Sequence, residues 1–429
     1  MTAPTAKSDG VAPPRTRGPL AGVRVIELAH IMAGPVCGLM LADMGADVVK
    51  VEKCDGGDDT RRFLPPDIEG QSAAFMMLNR NKRGIALDLK SDGGRAALLR
   101  LIDSADILIE NYRHDTMQRL GLAADDLLER NPRLVYCEIS GFGRTGPLAE
   151  HGGFDLVAQG MSGLMSITGN EDDPRPVKCG PPVSDITAGI LGALGCLAAY
   201  IECQRTGRGQ RVDTSLFEGA IIQTFWQSAI ALAQAHPTNA EKNIPNPTAL
   251  GSAHPLNAPY QAFETASGWI NVGGANQRNW LRILDVLDAP HLANDVRFET
   301  NEARMRHRAE LEAELAPHFR TRTCEELCAA FQQVGVPAGP VLDIAAMHAH
   351  PQTRARGMVE RVTHPIAGDI ETIGAPIKFS AHDRETSAPA PLLGEHGHDI
   401  LREIGMTDAE ISALEHAGHL GTPQLPATA

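Results

Sequence analysis

Short runs of Val, Ile and Leu alternate with helix-like segments over the first third of the chain. The apolar runs cover 23–28, 47–52, 84–89, 106–110 and 134–139, and helix-like segments lie at 38–45, 91–104 and 123–130. Strands that are separated by helices pair in parallel through right-handed crossovers. The pattern therefore predicts a doubly wound α/β sheet, whose ligands bind beyond the carboxyl ends of the strands.

A proline-rich loop and a long uncharged segment follow this region. The loop, 178–185, contains Gly-Pro-Pro, which cannot continue a helix, and residues 186–201 carry no charge. We predict a fully buried helix over 186–201, with Asp185 at its start. Asp185 or Ser184 can be its N-cap. Asp185 can instead be a nucleophile, since the amides and the dipole of a helix start favour the ionised carboxylate.

The second half of the chain predicts a smaller α+β unit. Residues 217–235 are helix-like, and 236–255 are polar with four prolines, which is typical of a linker. Apolar runs at 258–263 and 269–272 predict a hairpin, and helices follow at 277–288, 302–317 and 323–334. We expect strands within 358–379 and a helix within 393–416.

The charge of the chain limits its partners. A net charge of −14 argues against a nucleic acid or an anionic membrane, because either needs a basic face, and 4% aromatic residues are few for stacking on bases. Basic residues are nevertheless frequent in one third of the chain, namely Lys50, Lys53, Arg80, Lys82, Arg83, Lys90, Arg113 and Arg119. This cluster indicates either a site for a small anionic ligand or a solvated face.

Cysteine usage and the N-terminus indicate a cytoplasmic protein. The eight cysteines form no C-x-x-C pair, so we interpret them as buried thiols of a reducing compartment and predict no metal site. Residues 1–18 lack the apolar core of a signal peptide. No run reaches the ~18 apolar residues of a membrane span, so we expect no membrane partner.

Nine short stretches, in this order, resemble the family III CoA-transferases (the CaiB/BaiF family). They are 19–28, 33–35, 44–52, 79–84, 110–112, 140–143, 206–210, 335–340 and 391–396. The dinucleotide motif G-x-G-x-x-G and the P-loop motif are both absent from the chain. The family includes formyl-CoA transferase and succinyl-CoA:glutarate CoA-transferase, and the resemblance covers 19–416.

The resemblance implies a covalent mechanism at Asp185. In the family, the matching aspartate attacks an acyl-CoA thioester, and a mixed anhydride and then an aspartyl-CoA thioester follow. The resemblance also implies a CoA site at Met32, Ala33, Lys53, Leu87, Asp88, Lys90, Asn111, Tyr112, Arg113, Arg119, Ser140, Gly141, Phe142 and Gly143. Lys53, Arg113 and Arg119 are then expected to meet the phosphates, which explains the basic cluster.

The sequences of 162–169 and 254–263 resemble those of the branch of the family that uses succinyl-CoA. That similarity implies a short dicarboxylic substrate, with Arg144, His254, Arg61 or Arg62 holding the distal carboxylate. Met32 and Lys53 stand where formyl-CoA transferase has Gln and Arg, and 273–275 does not reproduce its four-glycine loop. These differences argue against formate and oxalate as substrates. The sequence does not identify the acceptor acid.

Two alternatives remain beside the transferase. α-Methylacyl-CoA racemases share the family's fold and use a His-Asp pair, but Phe154 occupies the histidine position, and a two-base mechanism then lacks one base unless His151 replaces it. A non-catalytic acyl-CoA-binding subunit is the other alternative, since it would keep the CoA loops.

The resemblance also implies the overall organisation. Family members are intertwined homodimers without a permanently bound cofactor, each with a Rossmann-like large domain and a smaller α+β domain. We therefore predict tails at 1–18 and 421–429, a large domain formed by 19–225 and 351–420, a small domain at 256–334, and linkers at 226–255 and 335–350.

Overall fold

The computed structural model of the protein describes residues 18–239, 246–382 and 387–423. The predicted tails fall almost entirely outside these ranges, as does part of the first predicted linker. The described residues group into two compact units. The first contains 18–162, 181–222 and the described part of 351–423, and the second contains 163–180 and the described part of 223–350. The predicted domain limits themselves stay a prediction.

The strands follow the predicted apolar runs closely. In chain order they are β1 (Arg24–Leu28), β2 (Asp47–Glu52), β3 (Asp67–Ile68), β4 (Gln71–Ser72), β5 (Arg83–Leu87), β6 (Ile107–Glu110), β7 (Val135–Ser140), β8 (Gln210–Ser215), β9 (Tyr260–Thr265), β10 (Gly268–Gly273), β11 (Ala338–Pro340), β12 (Val359–His364), β13 (Gly368–Ile373) and β14 (Leu420–Gly421). The five predicted strands of the first third correspond to β1, β2, β5, β6 and β7.

The helices also occupy most of their predicted positions. They are α1 (Ala33–Asp43), α2 (Ala73–Asn79), α3 (Asp92–Asp103), α4 (Thr116–Arg119), α5 (Ala124–Arg130), α6 (Asp155–Met161), α7 (Val183–Thr206), α8 (Leu216–Ile221), α9 (Phe225–Gln234), α10 (Gln277–Val286), α11 (Asn301–Arg306), α12 (Arg308–Arg320), α13 (Cys324–Gln333), α14 (Ile344–Ala349), α15 (Pro351–Ala355), α16 (Gly397–Glu403) and α17 (Asp408–His416). Helix α14 lies within the second predicted linker, and α9 begins one residue before the first predicted linker and continues into it.

Seven strands of the first unit, within its described residues, form the central sheet. Their order is β14-β5-β2-β1-β6-β7-β8, and each pair is parallel except β14 with β5. This confirms the predicted α/β class with a mostly parallel sheet. Strands are added on one side of β1 up to β5 and then on its other side from β6. The loops after β1 and β6 therefore diverge and leave a crevice, which is where ligands bind in such sheets.

The sheet is covered on both faces by separate apolar cores. Ile26 and Leu108 face the core that includes Leu98 of α3, whereas Val25 and Ile107 face the core that includes Cys196 of α7. Neighbouring residues of a strand point to opposite faces, so a strand that is covered on both sides is apolar throughout. This explains why the runs of Val and Ile predicted the strands correctly.

Helix α7 differs from its prediction in its start and in its burial. It begins at Val183 with Pro182 as N-cap, so Asp185 lies in the first turn, and neither Asp185 nor Ser184 is the N-cap. The helix is not fully buried either, because Ile190, Leu194 and Ile201 are about half exposed in this chain. Composition alone could not show which face of an apolar helix is covered.

The opposite face of α7 packs on the first unit. A Cβ added to Gly189 would lie 2.5 Å from the carbonyl oxygen of Ala33 in α1, and one added to Gly192 would lie 2.9 Å from Ile139 Cδ1 of β7. Among the described residues, α7 is also long and apolar enough to cross a membrane, contrary to the expectation from the sequence. A helix packed on a sheet in the core of a globular protein passes the same test.

The second unit contains the predicted hairpin and the helices after it. Strands β9, β10 and β11 form an antiparallel sheet, in which Ile270 is opposite Phe263. Trp280 of α10 and Phe319 of α12 lie in the core beside this sheet, and Phe319 stacks on Phe263 with ring centroids 4.2 Å apart. The predicted helix over 302–317 is two helices, α11 and α12, separated at His307.

Candidate functional site

A cavity of about 320 Å³ lies beyond the carboxyl ends of β1, β6 and β7 in the first unit. Its wall is formed by the loops after these three strands, by the segment before α6, and by the first turn of α7. Its lining residues are His30, Ile31, Met32, Ala33, Asp59, Asn111, Tyr112, Arg113, His114, Ile139, Ser140, Gly141, Arg144, Ala149, His151, Gly152, Gly153, Phe154, Asp185 and Leu216. The position agrees with the general rule for parallel sheets.

Asp185 brings a carboxylate to this cavity. Among the described residues, no hydrogen bond to its carboxylate is formed. Burial, together with the charge of Asp155, raises the pKa of Asp185 to about 7. The expectation that the helix start keeps this group ionised is therefore wrong, because burial and a second carboxylate outweigh the helix dipole.

Asp155, the first residue of α6, holds the start of α7. Its Oδ1 accepts a hydrogen bond from the backbone nitrogen of Ser184 at 2.9 Å, and its Oδ2 accepts one from Gln159 Nε2 at 2.7 Å. Asp155 thus satisfies a free amide of a helix whose N-cap, Pro182, has no side-chain acceptor. The sequence offered no local sign of this role, because cap and helix are 29 residues apart.

The loop after β1 is fixed by polar groups from neighbouring segments. Asn111 Oδ1 accepts from the backbone nitrogen of His30 at 3.0 Å, and its Nδ2 donates to the carbonyl oxygen of His30 at 2.8 Å. Gly34, in the first turn of α1, allows this close approach, since an added Cβ would lie 2.2 Å from Ala29 Cβ. Met32 and Ala33 are thereby presented on the cavity wall, as predicted for part of the CoA site.

Only some of the other predicted CoA residues line this cavity. Asn111, Tyr112, Arg113, Ser140 and Gly141 line it, and Lys53 lines a smaller adjoining cavity of about 150 Å³ together with Tyr112. Leu87, Asp88, Lys90, Arg119, Phe142 and Gly143 are not part of either lining. Of these, Leu87 is buried opposite Leu420, whereas Lys90 and Arg119 are exposed.

The candidates for the distal carboxylate have structural partners. Arg144 Nη2 donates to Glu110 Oε1 at 2.6 Å, where burial raises the pKa of Glu110 to about 7. Arg61 donates two hydrogen bonds to Glu52 and lies over the Phe75 ring. Both guanidinium groups therefore have carboxylate partners that a substrate would have to replace.

Neither Arg62 nor His254 forms an ion pair with a buried carboxylate among the described residues. Arg62 pairs with Asp59 at 2.8 Å, but more than half of its side chain is exposed. His254 belongs to the second unit, where its ring lies 5.0 Å from that of Tyr260 and burial lowers its pKa. Tyr260 lines a cavity of about 700 Å³ in that unit, beside the side chains of β9 and β10.

Four of the eight basic residues noted in the sequence are buried in ion pairs. Lys50 and Lys82 are fully buried and both pair with Glu27, at 3.0 and 2.8 Å. Arg80 pairs with Asp43, and Arg83 pairs with Asp47 and Glu403. The interpretation of these four side chains as part of an anion site or a solvated face is therefore wrong. Lys53, Lys90, Arg113 and Arg119 are exposed, and among them Lys53 pairs with Asp59 at 2.9 Å and Arg119 with Asp115 at 3.0 Å.

Three cysteines could offer ligands to a metal ion. The Sγ atoms of Cys37, Cys137 and Cys196 lie within 4.8 Å of one another in the described part of the chain, and all three residues are buried. Contacts among the three thiols and their burial raise their pKa values, so the protonated form is favoured. Burial is confirmed for five of the eight cysteines, whereas Cys54, Cys179 and Cys328 are only partly buried, so the interpretation of all eight as buried thiols is wrong for these three.

The chain is similar to several known proteins. The family model described as CoA-transferase family III matches residues 20–397. A succinate–glutarate CoA-transferase of Agrobacterium fabrum is 40% identical over 91% of this chain and 97% of its own length. An acetyl-CoA:oxalate CoA-transferase of Acetobacter aceti is 35% identical over 93% and 99%. The crystal structure of a CaiB/BaiF family protein from Brucella suis has 38% identity and a TM-score of 0.79, covering 90% of this chain and 100% of that one.

Proposed function

Because the chain belongs to the family III CoA-transferases, an enzyme family that transfers CoA, we propose that it moves CoA from succinyl-CoA to a short dicarboxylic acid with Asp185 as nucleophile. One observation carries this proposal. The carboxylate of Asp185 faces the same cavity as Met32, Ala33 and the loop after β6, and no hydrogen bond from the described residues occupies it.

The first two steps load CoA onto the protein. A carboxylate oxygen of Asp185 attacks the acyl carbon of the donor thioester, the carbon–sulfur bond breaks, and a mixed anhydride and the CoA thiolate result. The thiolate then attacks the aspartyl carbonyl carbon and releases the donor acid as its carboxylate. Asp185 is now an aspartyl-CoA thioester.

The last two steps deliver CoA to the acceptor. The acceptor carboxylate attacks the aspartyl carbonyl carbon, which forms a second anhydride and frees the thiolate. The thiolate attacks the acyl carbon of the acceptor, and Asp185 leaves as a carboxylate. With a pKa of about 7, Asp185 is about half ionised at neutral pH and more basic than an ordinary aspartate, which favours attack on a thioester.

The proposed CoA site extends from this cavity to the surface. Met32, Ala33, Asn111, Tyr112, Ser140 and Gly141 would surround the pantetheine end, and Lys53, Arg113 and Arg119 would pair with the phosphates. The exposure of these three cations supports the proposal. Leu87, Asp88, Lys90, Phe142 and Gly143 complete the proposed site. The chemistry needs only a carboxylate and a thiol, so we propose no resident cofactor.

The substrate class is proposed from the relatives and the charges. The relatives named above act, by their names, on succinate and glutarate or on acetyl-CoA and oxalate. We propose a dicarboxylic acceptor, and of the four candidates for its distal carboxylate we retain Arg62 and His254, since Arg144 and Arg61 are bound to buried glutamates.

The proposed assembly is an intertwined homodimer in the cytoplasm. Ile190, Leu194 and Ile201 form an apolar stripe on α7 that a single chain leaves about half exposed. An exposed apolar stripe of this kind on a helix of the first unit is typical of a subunit interface. Size-exclusion chromatography with light scattering would give twice the chain mass if the dimer forms.

Trapping of the acyl-enzyme tests the nucleophile. The protein is incubated with succinyl-CoA and hydroxylamine, and the peptide that contains Asp185 is analysed by mass spectrometry. We expect a hydroxamate on Asp185 in the wild type and none in Asp185→Asn. A wild type that transfers CoA without any hydroxamate on this peptide contradicts the proposal.

An acceptor panel tests the substrate class. Malate, citramalate, glutarate, itaconate, mesaconate and oxalate are each offered with succinyl-CoA, and the acyl-CoA products are separated by chromatography. We expect at least one of the longer dicarboxylates to exceed oxalate. Exchange of the α-proton of 2-methylacyl-CoA with deuterium, without an acceptor acid, would instead indicate the racemase.

A further inference from the structure

Ile31, on the wall of the cavity, has a backbone conformation that its side chain disfavours. Its φ is 67°, in the left-handed region. Residues with a branched Cβ rarely adopt this region, because Cβ then crowds the following carbonyl group. The loop that presents Met32 and Ala33 therefore depends on its surroundings to keep this conformation.

Asp58 supplies the contact that opposes this strain. Its carboxylate accepts a hydrogen bond from the backbone nitrogen of Ile31, at 3.1 Å from Oδ1 and 3.3 Å from Oδ2. Asp58 is itself held in place, because its own backbone nitrogen donates to Glu52 Oε2 at 2.9 Å and its Oδ1 accepts from Thr60. Its side chain is only 1% exposed.

Lys50 contacts both Asp58 and the backbone of the same loop. Its Nζ lies 2.9 Å from Asp58 Oδ2 and donates to the carbonyl oxygen of Ala29 at 2.8 Å. The backbone of the loop is thus bound at Ala29 by Lys50, at His30 by Asn111 and at Ile31 by Asp58. Three consecutive residues are fixed by buried or half-buried polar side chains of other segments.

We propose that Asp58 is a positioning residue, which holds Ile31 in its left-handed conformation so that Met32 and Ala33 are preformed for the CoA thioester. The inference rests on the proposed function, in which these two residues bind CoA. Asp58 does not touch the reacting atoms. It sets the fraction of the protein in which the loop is in the conformation that binds CoA. The apparent dissociation constant of CoA is inversely proportional to this fraction, so a smaller fraction raises it.

The experiment measures CoA binding by calorimetry and transferase kinetics in Asp58→Asn. The asparagine oxygen keeps at most one of the two contacts with the backbone nitrogen of Ile31. The negative charge opposite Lys50 is lost, and the amide nitrogen of asparagine cannot accept from Lys50. We expect the dissociation constant of CoA and the KM for succinyl-CoA to rise about tenfold, while kcat at saturating substrate falls less than about threefold. Should this variant not fold, Asp58→Glu keeps the charge but displaces the acceptor, and we expect the same pattern with a smaller rise.

A double-mutant cycle with Ile31→Gly separates positioning from simple stability. Glycine adopts φ of 67° without strain. In the Ile31→Gly background, Asp58→Asn is therefore expected to raise the dissociation constant less than about threefold. Asp47 lies on the same strand as Lys50 and forms an ion pair with Arg83. Asp47→Asn breaks that pair and is the control for destabilisation, and we expect it to leave CoA binding unchanged.

Two results overturn the inference alone. One is a folded Asp58 variant with unchanged CoA affinity while the wild type still forms the Asp185 hydroxamate. The other is an equal loss in both backgrounds of the cycle. Absence of the hydroxamate in the wild type overturns the proposed function instead.

Discussion

Asp155 Oδ1 accepts a hydrogen bond from the backbone nitrogen of Ser184 at 2.9 Å, one residue before Asp185. This contact fastens the first turn of α7 to α6 and leaves the carboxylate of Asp155 close enough to raise the pKa of Asp185. Asp155 therefore has two effects on the proposed nucleophile. It fixes the position of Asp185, and it makes the ionised form of Asp185 less stable.

We predict that Asp155→Asn shifts the acid limb of kcat/KM to lower pH. The reactive form of Asp185 is the carboxylate, so activity falls as the pH drops below its pKa of about 7. Removing the negative charge of Asp155 lowers that pKa, whereas the asparagine oxygen still accepts from Ser184. The measurement is kcat/KM between pH 5 and 9. An unshifted limb would mean that a group other than Asp185 controls the acid limb.

We predict that Asp185→Asn stabilises the protein at high pH only. The pKa of Asp185 is raised from 3.8 to about 7 on folding, so the folded state binds more protons than the unfolded state between these values. Stability contributed by this group therefore falls as the pH rises through this window. At pH 8 the substitution is expected to gain up to about 4 kcal/mol, from about 1.4 kcal/mol per pKa unit.

Urea unfolding at pH 3.5 and pH 8 checks this expectation. The gain should be present at pH 8 and nearly absent at pH 3.5, where aspartate is mostly protonated in both states. An equal effect at the two pH values would mean that the substitution acts through packing.

We predict that Lys50→Met destabilises the protein by about 3–5 kcal/mol, because it leaves the buried Asp58 carboxylate without its cation. The matched variant Lys53→Met, which removes an exposed pair with Asp59, should cost less than about 1 kcal/mol. The two midpoints of urea unfolding give the comparison. Repeating it at high salt should weaken only the exposed pair, since buried pairs are little screened.

We predict that Gly189→Ala lowers both stability and transfer rate. The new Cβ would lie 2.5 Å from the carbonyl oxygen of Ala33 and 2.8 Å from Val36 Cβ, so α7 must move away from α1. Such overpacking costs about 1–3 kcal/mol. Gly180→Ala is the control for stability, since no atom lies within 4 Å of its added Cβ. Thermal unfolding and kcat of both variants test the prediction.

The sequence predicted those features that depend on neighbouring residues. Strands β1, β2 and β5–β7 lie within two residues of the apolar runs, because strands buried on both faces need Val and Ile at every position. The start of α1 was missed by five residues, because Gly34 and Pro35 look like a turn, although proline is tolerated in a first helical turn.

Features that depend on distant residues were not predictable in this way. The partners of Lys50 are Glu27, 23 residues earlier, and Asp58, so the basic residues of this region looked like an anion site or a solvated face. The helix cap at Asp155 and the strain at Ile31 likewise involve segments 27–29 residues apart. Asp185 was selected as the candidate nucleophile through the family resemblance, whereas its raised pKa depends on burial and on the carboxylate of Asp155, which only the structure shows.

The absence of side chains at Gly189 and Gly192 has a consequence for changing the acid that the protein accepts. It lets α7 rest directly on the α1 backbone and on β7, so the helix that carries Asp185 is packed against the helix that begins at Ala33. On the wall formed by 149–154, an added Cβ at Gly152 meets no atom within 4 Å, whereas one at Gly153 would lie 2.4 Å from Gly141 Cα. Libraries that seek a new acceptor acid should therefore vary Gly152 and leave Gly153, Gly189 and Gly192 unchanged.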